Sequence, residues 1–345
     1  MKLVRKYKII FVFCVILICT LFWPFFLKNL YPFPGNYLLA WYQPWKTDHL
    51  QDKTITIQHK PVADDTFRYI YPFKKLGIDI AKRGQFPLWN PYNGAGMPLL
   101  ATYQWAFLNP FNVLFLFLQM ETAWTIYIII QAFLLTFFTY LYCRKIGISL
   151  KGSIFATSIF TLSGFVVARL IFSNLIYPLT MLPLILYLIE DYIKNAKSKN
   201  ILILPLAISF TFFSGHPHTA IYTLIVATAY FLYRNILTKN FNRKLTHNFL
   251  LVGMLFLIGV GLAGIQLIPT IELLKNSNMN ADSSAFIFDR FLLPISHLIS
   301  ILIPNYFGNQ ATYNYWGAGD YIETVVAVGL IPSFFAYLSI FNRNS

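Results

Sequence analysis

Long apolar runs alternate with short polar connections along most of the chain, and two polar segments are much longer than the rest. A helix needs about 20 apolar residues to cross the hydrocarbon core of a bilayer. The pattern predicts crossings at about 9–27, 122–142, 152–171, 175–191, 200–214, 218–236, 248–270 and 321–341. Shorter apolar stretches at about 107–119 and 291–303 suit interfacial or re-entrant helices, or half-crossings packed against a bundle. The expected fold is an all-α polytopic membrane protein, a bundle of about eight transmembrane helices in a single membrane domain over 1–345. Within it, 9–27 is the first transmembrane helix, 28–106 the first outer loop, 107–270 the transmembrane bundle, 271–320 the second outer loop and 321–341 the last transmembrane helix.

The first polar segment has internal order. Pro32, Pro34-Gly35, Pro44 and Pro61 break residues 28–63 repeatedly. Over 65–83, Phe67, Ile70, Tyr71, Leu76 and Ile80 alternate with cations, as in an amphipathic interfacial helix bent near Pro72. Gly84, Pro87, Pro91, Gly94, Gly96 and Pro98 then predict a series of tight turns, whose Phe86, Trp89 and Tyr92 suit the headgroup level. The second segment, about 271–320, is rich in Asn and aromatic residues, a character shared by sugar-binding surfaces and ordinary interfacial loops.

Composition agrees with a membrane protein. Charged residues make up 12% of the chain, half of the roughly 25% usual in soluble domains. The net charge of +14 does not indicate nucleic acid, because the cations are scattered between apolar runs rather than gathered on one face. Cys14, Cys19 and Cys143 lie in or beside apolar runs, with neither a disulfide nor a metal spacing. The basic N-terminus precedes a run too long and too bulky at Phe22-Trp23-Pro24-Phe25-Phe26 for a cleaved signal peptide, so it is expected to remain as the first helix.

With a cytoplasmic N-terminus, Lys and Arg crowd the inner segments 1–8, 143–151, 192–199, 237–247 and the tail. This is the positive-inside pattern, from which long translocated segments are exempt. Glu190 and Asp191 are the acids on that side, and the others all fall outside. The expected location is a cytoplasmic-type membrane with the chemistry on its outer face.

Several strings then match a known pattern. Asp65 is followed by Arg68-Tyr69 and Pro72, and then by Gly84-Gln85-Phe86-Pro87-Leu88-Trp89-Asn90-Pro91-Tyr92 and Gly96-Met97-Pro98-Leu99-Leu100-Ala101. Later strings are Leu162-Ser163-Gly164-Phe165, Gly215-His216-Pro217-His218, Gln266-Leu267-Ile268-Pro269-Thr270 and Pro304-Asn305-Tyr306-Phe307-Gly308. Together they resemble the YfhO-like bacterial membrane protein family over most of the chain, the Pro-Leu-Trp-Asn-Pro-Tyr series being the most specific. Members commonly have Gln where Arg68 stands and are usually longer. The family looks like GT-C superfamily glycosyltransferases. The resemblance implies a GT-C-like helical bundle, a polyprenyl-phosphate-linked sugar donor and a cell-envelope acceptor, with the lipid bilayer as the working surface.

On that resemblance Asp65 is the expected catalytic acid of the first outer loop, as base or acceptor-positioning group, and Asp64 is its neighbour. Two carboxylates so close raise one pKa; the plainer alternative is that either caps the following helix. A lipid-phosphate leaving group calls for cations. Arg68, Lys74, Lys75, Lys82, Arg83 and Arg169 are the candidates, Arg169 the sharper one, with headgroup attraction or snorkelling as the plainer alternative for the lysines. His216 and His218 are candidates for hydrogen bonding to acceptor or phosphate. With Asp65 or Glu272 they would also suit a divalent metal, although nothing else in the sequence is arranged around them and no cofactor is assigned. Glu272 would orient a base or bind hydroxyls, or pair with Lys275. Trp89, Asn90 and Tyr92 are expected to shape the loop. Two other readings remain: a lipid or polysaccharide transporter, and a non-catalytic accessory subunit. Against transport, no charge lies mid-crossing beside Pro178, Pro183 or Pro205.

Overall fold

A computed structural model describes residues 2–36, 38–39, 42–47, 64–237, 243–277, 294–312 and 314–341. Asp48, Asp52, Asp282, Asp289, Lys239, Arg343 and the expected break at Pro61 lie outside the described residues. The principal helices are α1 (Lys2–Leu21), α2 (Tyr71–Lys82), α3 (Met120–Ile146), α4 (Leu150–Thr161), α5 (Ile176–Lys194), α6 (Leu204–Phe213), α7 (Pro217–Leu237), α8 (Arg243–Leu262), α9 (Gly264–Lys275) and α10 (Leu330–Phe341). The fold is that of an all-α membrane protein.

By length and composition, three helical runs among the described residues can cross a membrane: Met120–Ile146, Leu150–Phe172 and Ile176–Lys194. The pair Asn248–Leu262 and Gly264–Lys275 adds a fourth if its 63° bend is one broken span. Among the described residues, Lys199–Phe213 and Leu330–Ser339 are apolar helices of fewer than 18 residues. Local features break three of the expected stretches. Ser198 accepts from the Asn200 amide and opens a 3₁₀ turn, Lys199–Ile203, before Pro205 starts α6. In α9, Pro269 lacks the N–H of a helical rung and follows the weak helix formers Gly261 and Gly264. Residues 325–329 are non-helical, so only Tyr321–Thr324 and α10 are helical within 321–341. The 107–119 stretch forms a 3₁₀ turn, Pro110–Val113, and one helical turn, Leu114–Phe117. Ile295–Ile301 is also 3₁₀.

Pro72 does not end the helix that contains it. The Tyr71 amide bonds back to the Thr66 carbonyl, five residues away, giving a π-turn over Thr66–Ile70. The wider turn makes room for the proline ring, which would otherwise press on the carbonyl four residues earlier. From there the buried positions are Ile70, Phe73, Lys74, Gly77 and Ile78, whereas Tyr71, Leu76 and Ile80 are only half-buried.

The chain divides into two compact units. The first holds residues 1–31, 73–158 and 173–277. Here α5 packs against α3, α6 and α7, and α6 packs against α8. Ile185, Leu188, Ile189, Leu204, Ile208, Ala220 and Ala227 make the centre of its apolar core. Ile10 and Cys14 of α1 meet Tyr140 of α3 in a smaller cluster. A short hairpin, Trp89–Asn90 against Met97–Pro98, closes the series of turns expected there. Gly96 at its mouth has φ +103, and a Cβ there would lie 2.6 Å from the Trp89 ring, so only glycine fits.

The second unit holds residues 32–72, 159–172 and 278–345. In it, Thr66–Ile70 lies against Leu170–Phe172, and Tyr321–Thr324 against Gly164–Arg169. Ile70, Val166, Phe172, Ile322 and Val325 are buried.

Candidate functional site

In the second unit, Asp64 and Asp65 open the helical run that contains the π-turn. Their surroundings separate the two carboxylates. Asp64 Oδ2 accepts from Arg68 NH1 at 2.8 Å, one helical turn on, and the Asp64 side chain is 17% exposed. Asp65 is exposed, with helical backbone angles, and its side chain makes no capping bond. Among the described residues no ion pair includes it. Partial loss of hydration and the adjacent Asp64 charge push its pKa up, and Arg68 only partly offsets them. Arg68 is an exposed cation whose bond to Asp64 raises its own pKa.

Arg169 belongs to the same unit but is built differently. It is buried, and its guanidinium sits 4.0 Å from the Phe165 ring centroid. Its NH1 donates to the Phe165 and Val325 carbonyls, at 3.2 and 3.4 Å, and its NH2 to the Glu323 carbonyl at 3.4 Å. The Gly164 amide adds a bond to the Ala327 carbonyl at 3.0 Å. The Leu162-Ser163-Gly164-Phe165 string therefore begins a clamp that holds segment 323–327, where the short helix Tyr321–Thr324 runs into non-helical backbone, a role for which the sequence carried no direct signal.

The other expected site residues lie in the first unit. His216 Nδ1 is hydrogen-bonded to Thr219 Oγ1 at 2.7 Å and accepts from the Thr219 amide at 3.3 Å. It thus serves as the N-terminal cap of α7, with Pro217 in the first helical position. His218 is exposed, its ring centroid 5.6 Å from that of His216. Glu272 is exposed in α9, and its carbonyl accepts from Asn276; its carboxylate forms no ion pair with Lys275. Asn90 is buried, and its Oδ1 accepts from the Tyr92 amide at 2.9 Å, while Trp89 and Tyr92 are exposed. Among the described residues, no three His, Cys, Asp or Glu side chains gather as a metal site requires.

Several family-like strings prove to be latches on backbone carbonyls. Gln266 Nε2 donates to Leu100 O at 2.9 Å and Thr270 Oγ1 to Ala101 O at 3.1 Å, joining α9 to the end of the Gly96–Ala101 string. Asn174 Nδ2 donates to both Gln104 O and Gly215 O, at 2.9 and 3.2 Å. These bonds reach carbonyls in a 3₁₀ turn and in loops, where the regular helical ladder is absent.

Two charge clusters were not anticipated. Glu190, fully buried, takes a bidentate pair from Arg234 at 2.8 and 2.9 Å, a bond from Tyr230 at 2.7 Å and an ion pair from Lys194 at 3.1 Å. Asp191 beside it takes Lys145, Ser198 and Asn200. Lys74, considered above as a headgroup contact, is instead 1% exposed. Its Nζ donates to Asn112 Oδ1 at 2.7 Å and lies 4.6 Å from the Tyr127 ring centroid and 5.1 Å from that of Phe115. Burial without a carboxylate lowers its pKa to about 7.

No match was found among curated proteins or among solved structures. One family model does match, described as "Bacterial membrane protein YfhO", over residues 59–344. That range takes in both units and every string quoted above, and the chain belongs to the YfhO family of bacterial membrane proteins.

Proposed function

We propose that the chain is a GT-C type membrane glycosyltransferase that moves a sugar from a polyprenyl-phosphate donor to a cell-envelope acceptor on the outer face of the membrane. The observation that carries this reading is the contrast within one helical turn. Asp64 is neutralised by Arg68, while Asp65 is exposed, in no ion pair among the described residues, and raised in pKa. A carboxylate in that condition is a stronger base than a free aspartate and is open to an acceptor.

In the proposed step the acceptor hydroxyl oxygen attacks the anomeric carbon of the donor, and Asp65 takes the hydroxyl proton. The bond from that carbon to the phosphate oxygen breaks, and the polyprenyl phosphate leaves with the electron pair. Arg68, exposed and with donors beyond its bond to Asp64, would face the phosphate. Arg169 is buried and commits three of its five N–H donors to carbonyls, so its part is to position segment 323–327. The test is transfer from a lipid-phosphate sugar in proteoliposomes. Asp65→Asn should lower turnover by about 10²–10⁴-fold, the usual worth of a positioned base. Turnover equal to wild type would sink the assignment.

A lipid or polysaccharide transporter is the second reading. It draws on the 63° break between the two halves of a broken helix, a feature of many transporters. Transport of a labelled lipid-linked sugar across proteoliposomes, unaffected by Asp65→Asn, would favour it.

A further inference from the structure

The segment 294–319 contains no Asp, Glu, Lys or Arg, yet it is crowded with amides and rings. Two of the rings are exposed, Trp316 at 66% and Tyr306 at 45%. Their centroids are 6.0 Å apart and their planes are inclined by 52°. Both pack on Phe307, which is nearly buried, at 4.7 and 5.0 Å. Phe307 in turn stacks on the buried His297 ring at 4.1 Å.

Backbone bonds fix this arrangement. The Trp316 amide donates to the Phe307 carbonyl at 2.9 Å, and the Ala318 amide to His297 Nε2 at 3.1 Å. Gly308 has φ +81, and a Cβ there would lie 2.0 Å from the Asn314 carbonyl oxygen, so the two strands of the loop approach as closely as glycine allows. An aromatic residue that merely anchors at the membrane interface needs none of this support.

A small pocket opens beside the rings, lined by Asn305, Phe307, Tyr315, Tyr321 and Thr324 among others. Its polar groups are already oriented. Asn305 Oδ1 accepts from Tyr321 OH at 2.6 Å and from Asn309 Nδ2 at 3.2 Å. Asn314 Oδ1 accepts from the Asn309 amide at 2.9 Å and from Thr312 Oγ1 at 2.7 Å. The Nδ2 groups of Asn305 and Asn314, both on exposed residues, take no bond among the described residues and remain as donors.

Exposed rings at a fixed angle and free amide donors, on a segment that carries no charged side chain of its own, together define a ligand. It has an apolar face to lie on rings, hydroxyls to meet amides, and no charge of its own. A pyranose has C–H bonds on one face, which suit the negative face of an aromatic ring, and hydroxyls around its edge. A phosphorylated ligand would find no Lys or Arg in this segment. We propose that this loop binds a neutral hexopyranose unit of the acceptor, its C–H face on Trp316 and Tyr306 and its hydroxyls on Asn305 and Asn314. The binding site stands on the geometry alone; its role as an acceptor site rests on the glycosyltransferase reading.

The full chain in nanodiscs is titrated with the methyl β-glycosides of glucose, galactose and N-acetylglucosamine, and read by saturation-transfer NMR. At least one should give a saturable signal, strongest on the ring C–H protons. Trp316→Ala and Tyr306→Ala should each weaken it about tenfold or more, and Asn305→Ala should weaken it less. Trp316→Phe, which keeps a ring, should retain it and guards against loss through misfolding. Asp65→Asn should bind as wild type. No saturable signal from any of the three glycosides overturns the proposal, as does wild-type binding by Trp316→Ala and Tyr306→Ala. So does quenching of Trp316 by brominated lipid that no glycoside relieves, the behaviour of an interface anchor. Binding lost in Trp316→Ala without any transfer activity would leave the site standing and remove the glycosyltransferase reading. Transfer sensitive to Asp65→Asn, with glycoside binding and acceptor KM unchanged in Trp316→Ala, would do the reverse.

Discussion

The two units treat charge in opposite ways. In the first, the buried charges are matched. Glu190 meets Arg234, Lys194 and Tyr230, Asp191 meets Lys145, and Lys74 meets an amide and two rings. In the second, Arg169 is matched by carbonyls, while Asp65 is held in an exposed, unpaired and raised state. A charge whose bonding capacity is used up by neighbours can only hold structure. One that keeps spare capacity can act on a ligand, and its upkeep in a folded chain calls for a reason. The contrast separates Asp65 from Asp64 within one turn, and it separates the family-like strings that latch backbone from the one to which we assign the proposed chemistry.

The largest structural effect should come from breaking a matched charge. Arg234→Met leaves buried Glu190 with Lys194 and the Tyr230 hydroxyl but without its bidentate partner, and loss of a buried partner costs about 3–5 kcal/mol. The melting temperature should fall sharply, with turnover per folded molecule unchanged; a wild-type melt would show that the match carries no stability.

Lys74 is a smaller test. Its folded pKa of about 7 lies below its ordinary 10.5, so between these values the unfolded chain binds more protons. Stability therefore rises with pH across that window, by about 1.4 kcal/mol per pH unit in its middle. Below about pH 7 both states are protonated and this pH dependence vanishes. Lys74→Met should remove the rise, while the Asn112 oxygen left without its donor costs about 1–3 kcal/mol at every pH. Chemical unfolding at pH 6, 8 and 10 measures both, and an unchanged slope in Lys74→Met would show that another group titrates.

The smallest shift is expected from Asp64→Asn. Removing that charge takes away one of the influences that raise the Asp65 pKa and frees Arg68 to act on it. Both changes lower the pKa, so the acid limb of the rate profile should move to lower pH, by less than about one unit. Turnover lost together with the acid limb would mean that Asp64, not Asp65, is the titrating base.

The sequence made the membrane character legible, because hydropathy over about 20 residues is a strong local signal. The three spanning runs Met120–Ile146, Leu150–Phe172 and Ile176–Lys194 coincide with apolar stretches visible in the chain. The breaks were harder to see. Pro269 was visible, but the sharp turn between α8 and α9 depends on packing. Pro72 looked like an interruption, and a π-turn absorbs it instead. The burial of Lys74 did have a signal, since it stands four residues from both Ile70 and Ile78 and so shares their helix face. The carbonyl latches of Gln266, Thr270, Asn174 and Arg169 had none, because they join residues far apart in the chain. Asp65 was legible as a candidate; its isolation from Arg68 was not, since either neighbour could have taken that cation.

The central claim is that Asp65 is kept unpaired for chemistry. Turnover and melting temperature of Asp65→Asn, measured on the same purified sample, test it most directly. Transfer from a lipid-phosphate sugar should fall by about 10²–10⁴-fold while the melting temperature stays at or above that of wild type, because an unpaired charge has been removed. Full turnover, or a large drop in melting temperature that accounts for the lost activity, would contradict it.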